Sequence, residues 1–231
     1  MSAVNLTRED GVARVMMSAE GKFNPASLSE FTAALDGALD SPHTEILLIT
    51  GTGRNFSQGL DLDYLMSVGD PDEAMGFLRD CMRMIGRLLV APVPVVAAVN
   101  GHAFGLGAML TLASDYKVMR EDRGYFCLPE ADLGMTLTER MNALVCNKLH
   151  GSVLRDVLLT GRRIGAADAL AMSIIDAKGP DQEIEQLGIA LAGPMRGKQR
   201  SALAGLKRGI NLPILAAIHS EAPEQTITEV Q

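Results

Sequence analysis

The chain has 231 residues, 47% of them hydrophobic and 21% charged, with a net charge of -7 and a pI near 5.1. That length suffices for one large domain with a buried core, and the acidic balance argues against a nucleic-acid partner, which needs a basic face. Three well-separated cysteines without a CxxC, and four histidines without paired spacing, predict reduced thiols, a cytoplasmic setting and no metal site. The longest apolar run, 88–99, is too short to span a bilayer and holds two prolines, and the start "MSAVNLTRED" has no apolar signal region, so a soluble protein with no membrane partner is expected.

In chain order, "VARVMMS" (12–18) predicts a strand, being rich in β-branched residues after a glycine. "SLSEFTAALDGALD" (27–40) opens with a serine, has Glu30 three residues on, and spaces Leu28, Phe31, Leu35 and Leu39 helically; it predicts a capping box and an amphipathic helix. "EILLITG" (45–51) and "VPVVAAVNG" (93–101) predict strands buried on both faces. Between them, 72–90 predicts a long helix with Phe77, Cys81, Met84, Ile85 and Leu88 on one side. A helix over 107–115 and a strand over 116–122 follow, and from about Leu137 the pattern is almost all helical. Alternating strands and helices, then helices alone, predict a layered α/β core with a helical C-terminal extension and a frayed polar tail at 220–231.

Three stretches offer chemistry. In "FGLGAML" (104–110) a strand runs through Gly105 and Gly107 into a helix, whose first N–H groups hold anions well. A dinucleotide fingerprint would need glycine at 110, where leucine stands. "LLITGTGRNFSQGLDL" (47–62) repeats the device through Gly51, Gly53 and Gly59. Two converging N–H groups are what stabilise the oxyanion of an enolate or a tetrahedral intermediate. "FCLPEADLG" (126–134) supplies Glu130 and Asp132, which spacing alone does not separate.

Taken together, "NFSQGLDL", "AAVNGHAFGLGAML…SDYKVM", "FCLPEADLGM" and "LTGRRIGAADALAMSIID" (159–176) resemble the enoyl-CoA hydratase/isomerase (crotonase) superfamily, in its order and spacing, over residues 10–210. The resemblance implies a crotonase-like spiral of ββα turns with two stacked sheets over 1–190. It also implies a helical C-terminal trimerisation region over 191–231, giving a homotrimer or a dimer of trimers. The implied ligand is an acyl-CoA thioester, coenzyme A being part of the substrate rather than a separate cofactor.

Carried over by position, the backbone N–H groups of Leu60 and Leu106 become the oxyanion donors and Glu130 an acid/base residue. Lys22, Phe23, Asn24, Ser57, Gly59, Asp61, Tyr64, Gly105, Gly107, Met109 and Leu133 become acyl-CoA contacts, with "GKFNPA" (21–26) matching the adenine-binding segment loosely. Met109 stands where a hydratase has its second glutamate. Adding water across a double bond uses two glutamates in that family, whereas moving the bond needs one base, so the pattern is closest to the single-glutamate enoyl-CoA isomerases. A hydratase and a non-catalytic acyl-CoA-binding protein are the alternatives. Asp63 replaces a lysine that hydratases often use for the CoA phosphates, leaving Lys22 or the basic run Arg196, Lys198, Arg200, Lys207 and Arg208 for that contact; a solvated basic helix face is the plain reading of the run. Leu65, Met66, Phe77 and Met84 are the guesses for the acyl pocket, with Met84 more simply core.

Overall fold

The computed structural model describes residues 2–221; most of the tail expected at 220–231 lies outside them. The chain opens with a hairpin absent from the sequence expectations. Strands β1 (Val4–Glu9) and β2 (Val12–Met17) pair antiparallel about Asp10 and Gly11, at φ 47° and 77°. Two left-handed residues in a two-residue turn match the twist of paired strands, and Asp-Gly is the sequence signal for it.

After β3 (Lys22–Phe23) comes α1 (Pro25–Asp40), which starts two residues before the expected serine. Its cap is Asn24: the Asn24 side chain accepts from the Ser27 N–H and the Ser27 hydroxyl accepts from the Asn24 N–H, with Pro25 pre-set for the first turn. Glu30 is not part of the box. Its Oε2 accepts from the N–H groups of Ala3 (2.6 Å) and Val4 (3.2 Å) and ties down the start of β1.

The next elements are β4 (Ile46–Gly51), β5 (Asn55–Ser57), β6 (Gly59–Leu60), α2 (Leu62–Ser67) and α3 (Pro71–Leu89), the last capped by Asp70. They are followed by β7 (Val95–Val99), β8 (His102–Phe104), α4 (Leu106–Ala113), β9 (Tyr116–Arg120), β10 (Phe126–Cys127) and α5 (Glu130–Leu133). The remainder is α6 (Glu139–Lys148), α7 (Gly151–Thr160), α8 (Ala166–Ala171), β11 (Ala177–Gly179), α9 (Ile184–Ala192), α10 (Arg200–Ile210) and α11 (Leu212–Ile218). Among the described residues of the helical last third, β11 is the exception, closing one edge of the main sheet beside β9.

The main sheet runs β1-β2-β4-β7-β9-β11 and is parallel from β2 onward. Because successive strand residues face opposite ways, β4 and β7 feed two cores. Leu47, Ile49, Val95, Ala97 and Val99 join the larger one with residues of α1, α3 and α4. Ile46, Leu48, Val96 and Ala98 join a smaller one closed by Ile184 and Ala192 of α9. Two further small sheets, β10-β8-β5 and β3-β6, are wholly parallel.

The basic C-terminal run is largely consumed in holding the C-terminal elements to the core. Arg196 binds Glu45 (2.6 Å) and the Asp10 carbonyl, Arg200 binds the carbonyls of Thr44 and Leu39, and Lys207 binds Asp115 (2.6 Å) and the Val93 carbonyl (3.3 Å). Three of the five cations of that run therefore have internal partners, because the tertiary fold sets carboxylates and carbonyls against them. Lys207 is buried, and Asp115 also accepts the Val95 N–H (2.7 Å). Lys207→Ala leaves that carboxylate without its cation, at a cost of about 3 kcal/mol, which for a chain this size lowers Tm by roughly 6–12 °C. Thermal unfolding followed by circular dichroism checks this; an unchanged Tm would refute it.

Candidate active site

Three short parallel strands end side by side. In the β10-β8-β5 sheet, Ala103 of β8 lies opposite both Ser57 and Phe126, and Phe104 lies opposite Cys127. Just past the C-terminal ends of these strands come Gly59–Leu60, Gly105–Leu106 and Glu130. Ligands of parallel sheets sit at such ends.

The first two segments meet closely. Gly59 has φ 85°, and a Cβ built on it would stand 2.5 Å from the Phe104 carbonyl oxygen and 2.9 Å from the Leu106 nitrogen. Only glycine lets the backbone before Leu60 approach the backbone N–H of Leu106 this nearly. Beside them the spacing of the β3 contacts is uneven: Gln58 N–H bonds to the Gly21 carbonyl (2.9 Å) and Asp61 N–H to the Phe23 carbonyl (2.8 Å), three residues on one strand against two on the other. A regular parallel ladder would use every second residue. Gly105 caps α4 at φ 51°, donates to the Cys127 carbonyl (3.0 Å), and a Cβ on it would meet nothing within 4 Å. Leu106 is the first residue of α4, so its N–H has no acceptor within the helix. The Leu106 side chain is buried and that of Leu60 half-buried against the main core. Both leucines thus keep their side chains inward.

Glu130 opens α5 directly after Pro129. Its Oε2 is buried and, among the described residues, has no hydrogen-bond partner. Burial raises its pKa above the ordinary glutamate value. Asp132, which the sequence does not separate from Glu130, is exposed and packs its carboxylate against Gly161. A half-buried carboxyl with an orphaned oxygen is the better proton acceptor of the two. Met109 is 1% exposed in a helix whose residues are all buried, and brings no ionisable group to α4.

Most of the other expected contacts gather around the same ends. Lys22 lies beside Gly59 in the β3-β6 pair and forms ion pairs with Asp63 (3.3 Å) and Asp61 (3.6 Å). Its hydrogen bond to Asp63, with the charge of Asp61, raises its pKa. Asp63, standing where hydratases often have a lysine, thus pairs with Lys22, one of the cations considered for the phosphates. Phe23 is buried edge-on to Phe31 with centroids 5.5 Å apart, and Asn24 Nδ2 donates to Asp61 Oδ2 (3.4 Å). Tyr64 stands edge-on to Phe77 (5.3 Å) in a groove of about 810 Å³ between α1 and α3, floored by Leu28, Phe77 and Met84. Met66 is exposed, and Leu133 is exposed on α5. Gly21, at φ 57°, whose carbonyl accepts from both Ser57 Oγ and Gln58 N–H, is not singled out by the sequence, which offers it only as the first residue of "GKFNPA".

The family model for enoyl-CoA hydratase/isomerase matches residues 7–226. The chain belongs to that family. Among curated relatives it is 32% identical over 189 residues to the peroxisomal enoyl-CoA delta isomerase 2 of Arabidopsis thaliana, covering 79% of this chain and 78% of the relative. It is also 32% identical over 169 residues to the carnitinyl-CoA dehydratase of Escherichia coli K12, covering 73% and 64%. Among solved structures, an enoyl-CoA isomerase of Mycobacterium tuberculosis superposes with a TM-score of 0.84 at 28% identity, covering 94% of this chain and 96% of that one. A second structure of that same Mycobacterium tuberculosis protein, described there as a probable enoyl-CoA hydratase, gives a TM-score of 0.85 at 30% identity, covering 94% and 91%. The crotonase fold of this family member is therefore shared with proteins named for both reactions.

Proposed function

We propose that this family member moves the double bond of a 3-enoyl-CoA to the 2-position. Glu130 is the sole base, and the N–H groups of Leu60 and Leu106 form the oxyanion hole. The observation that carries the reading is the buried Oε2 of Glu130, without a partner among the described residues, at the strand ends where the two donors, each preceded by a glycine, meet, with methionine at 109. The carboxylate removes a proton from C2, the thioester oxygen takes up the negative charge between the donors, and the proton returns from Glu130 to C4 of the dienolate. No water is added and no further cofactor is consumed; coenzyme A leaves still attached. Each oxyanion donor is worth about 2.7–4 kcal/mol in the transition state. The relatives named delta isomerases support this reading.

Hydration is the second reading, favoured by the relative named a carnitinyl-CoA dehydratase and by solved structures named enoyl-CoA hydratase. It needs a second group to handle water. Incubation with trans-3-hexenoyl-CoA and, separately, trans-2-hexenoyl-CoA separates the two readings. Isomerisation gives the conjugated absorbance from the first substrate at unchanged mass; hydration gives the mass of one added water on the second. Binding of both with no conversion would leave an acyl-CoA-binding protein and overturn the proposal.

Assembly as a homotrimer or dimer of trimers belongs to the same proposal. Leu206 and Ile210 of α10 and Leu212 at the start of α11 are exposed apolar side chains suited to a subunit interface. Sedimentation at micromolar concentration is expected to give a trimer or hexamer mass. Among the described residues no helix is long and apolar enough to cross a membrane. Cys81 and Cys127 are buried and Cys146 exposed, all three free. This suits the cytoplasmic setting we keep as a proposal, although two of the relatives are named peroxisomal.

A further inference from the structure

Ser57 does more than its place in a three-residue strand requires. It is 0% exposed. Its Oγ donates to the Gly21 carbonyl (2.7 Å) and accepts from the Gly59 N–H (3.1 Å). On its other side, a Cβ built on Gly107 would lie 2.6 Å from the Ser57 carbonyl oxygen and 2.7 Å from the Ser57 Cβ, so the two backbones are in direct contact. Gly59 immediately precedes Leu60, and Gly107 immediately follows Leu106. One buried residue therefore touches the chain next to each donor.

The strand is irregular at this point. Asn55 pairs with His102 and Ser57 with Ala103, two steps along β5 against one along β8, which makes Phe56 an extra residue. Strand side chains alternate between faces, so a one-residue bulge turns everything after it to the opposite side. The bulge is what brings the Ser57 hydroxyl to Gly21 and Gly59.

We infer that Ser57 is a positioning residue that fixes the separation and direction of the Leu60 and Leu106 N–H groups. This rests on the oxyanion role proposed above for those groups. The hydroxyl cannot reach substrate while it holds both internal bonds; it acts through Gly59 on one side, and its backbone acts through Gly107 on the other.

In Ser57→Ala, the Gly59 N–H and one bond to the Gly21 carbonyl lose their partner, and the segment carrying Leu60 is released. A misplacement near 1 Å costs on the order of 10²-fold in rate, so kcat is expected to fall about 10- to 100-fold with KM changed about twofold at most. Ser57→Cys, whose thiol is a weak donor and acceptor, is expected to fall between the two. The decisive readout is independent of turnover: the infrared carbonyl band of hexanoyl-CoA labelled with ¹³C at the thioester carbon. On binding to the native protein the band moves to lower frequency, because two N–H groups polarise the carbonyl; in Ser57→Ala the shift is diminished, and in Ser57→Cys it is intermediate. A native protein that binds the probe without a shift overturns the oxyanion reading, and this inference with it. A full native shift retained in a folded Ser57→Ala protein overturns the positioning role alone. Circular dichroism establishes folding; should the alanine variant not fold, an undiminished shift in Ser57→Cys overturns the role and a diminished one supports it.

Discussion

Glu130→Gln is expected to abolish isomerisation of trans-3-hexenoyl-CoA while leaving the fold and acyl-CoA affinity intact. An amide has the shape of the carboxyl group but accepts no proton, and a positioned base contributes typically about 10²- to 10⁴-fold. With methionine at 109, the proposed site has no second carboxylate on α4 to take over. The fold should not suffer, because the ionised Glu130 gives its buried Oε2 no partner and burial raises its pKa. The folded state then holds the proton more tightly than the unfolded chain. In the window between the unfolded glutamate pKa, about 4.3, and the raised folded value, stability falls as pH rises, and ionised Glu130 is a net cost at neutral pH. Glutamine removes that cost, so the variant's Tm at pH 7 should equal or exceed the native one. The same shift fixes the acid limb of activity. The base must be ionised, so kcat/KM falls as pH drops through a pKa above the ordinary glutamate range. Steady-state kinetics across pH, equilibrium binding of hexanoyl-CoA and thermal unfolding test each part. Turnover retained in the variant would remove Glu130 from the mechanism.

The long elements were legible in the sequence because their signals are local. The apolar runs of β4 and β7 and the helical spacing of α3 stand within one or two residues of expectation, since burial on a sheet or helix face imposes its own period on the residues. The start of α1 was misplaced because Ser27 and Glu30 mimic a capping box, while the true cap, Asn24, is identified by the proline after it. Strand β1 is hard to read from the residues because only one of its faces meets the core, which leaves the Asp-Gly turn as its one local signal. The site was harder to read for a different reason. It hangs on β5, β8 and β10, strands of two or three residues that are too short to show a period. Two glycine loops and two neighbouring carboxylates are legible; that the loops meet follows only from the pairing of those strands, and the residues alone do not separate Glu130, which the family resemblance names and the structure half-buries, from the exposed Asp132. The resemblance to the family supplied the donors, Leu60 and Leu106, which the residues themselves do not single out, because backbone N–H groups leave no mark on side-chain identity. The engagement of Arg196, Arg200 and Lys207 within the chain was likewise invisible, since their partners lie between about 90 and 190 residues away in sequence.

Two glycines of the cradle should respond to alanine in different ways, and the difference tests where the ligand lies. In Gly59→Ala the added Cβ stands 2.5 Å from the Phe104 carbonyl oxygen and 2.9 Å from the Leu106 nitrogen, both backbone atoms, and the residue keeps φ 85°. The left-handed conformation alone costs about 1–3 kcal/mol in a non-glycine residue. The clash adds to this and must be relieved by moving the end of β8 or the turn into β6, which carry the two proposed donors. A displacement of that kind is worth on the order of 10²-fold in rate, so both Tm and kcat should fall. Gly105→Ala also imposes strain, at φ 51°, but its Cβ meets nothing within 4 Å. That open side adjoins the N–H of Leu106, where the thioester oxygen is proposed to sit. Alanine there should cost only the conformational strain in stability, while its methyl group takes space from the bound thioester. A drop in acyl-CoA affinity, with a Tm loss no larger than that strain accounts for, is therefore expected for Gly105→Ala, against a larger loss of stability joined to a loss of kcat for Gly59→Ala. Thermal unfolding paired with hexanoyl-CoA titration and steady-state kinetics distinguishes the two. If Gly105→Ala binds acyl-CoA as tightly as the native protein, the thioester does not lie against that face of the loop, and the assignment of Leu106 as a donor fails.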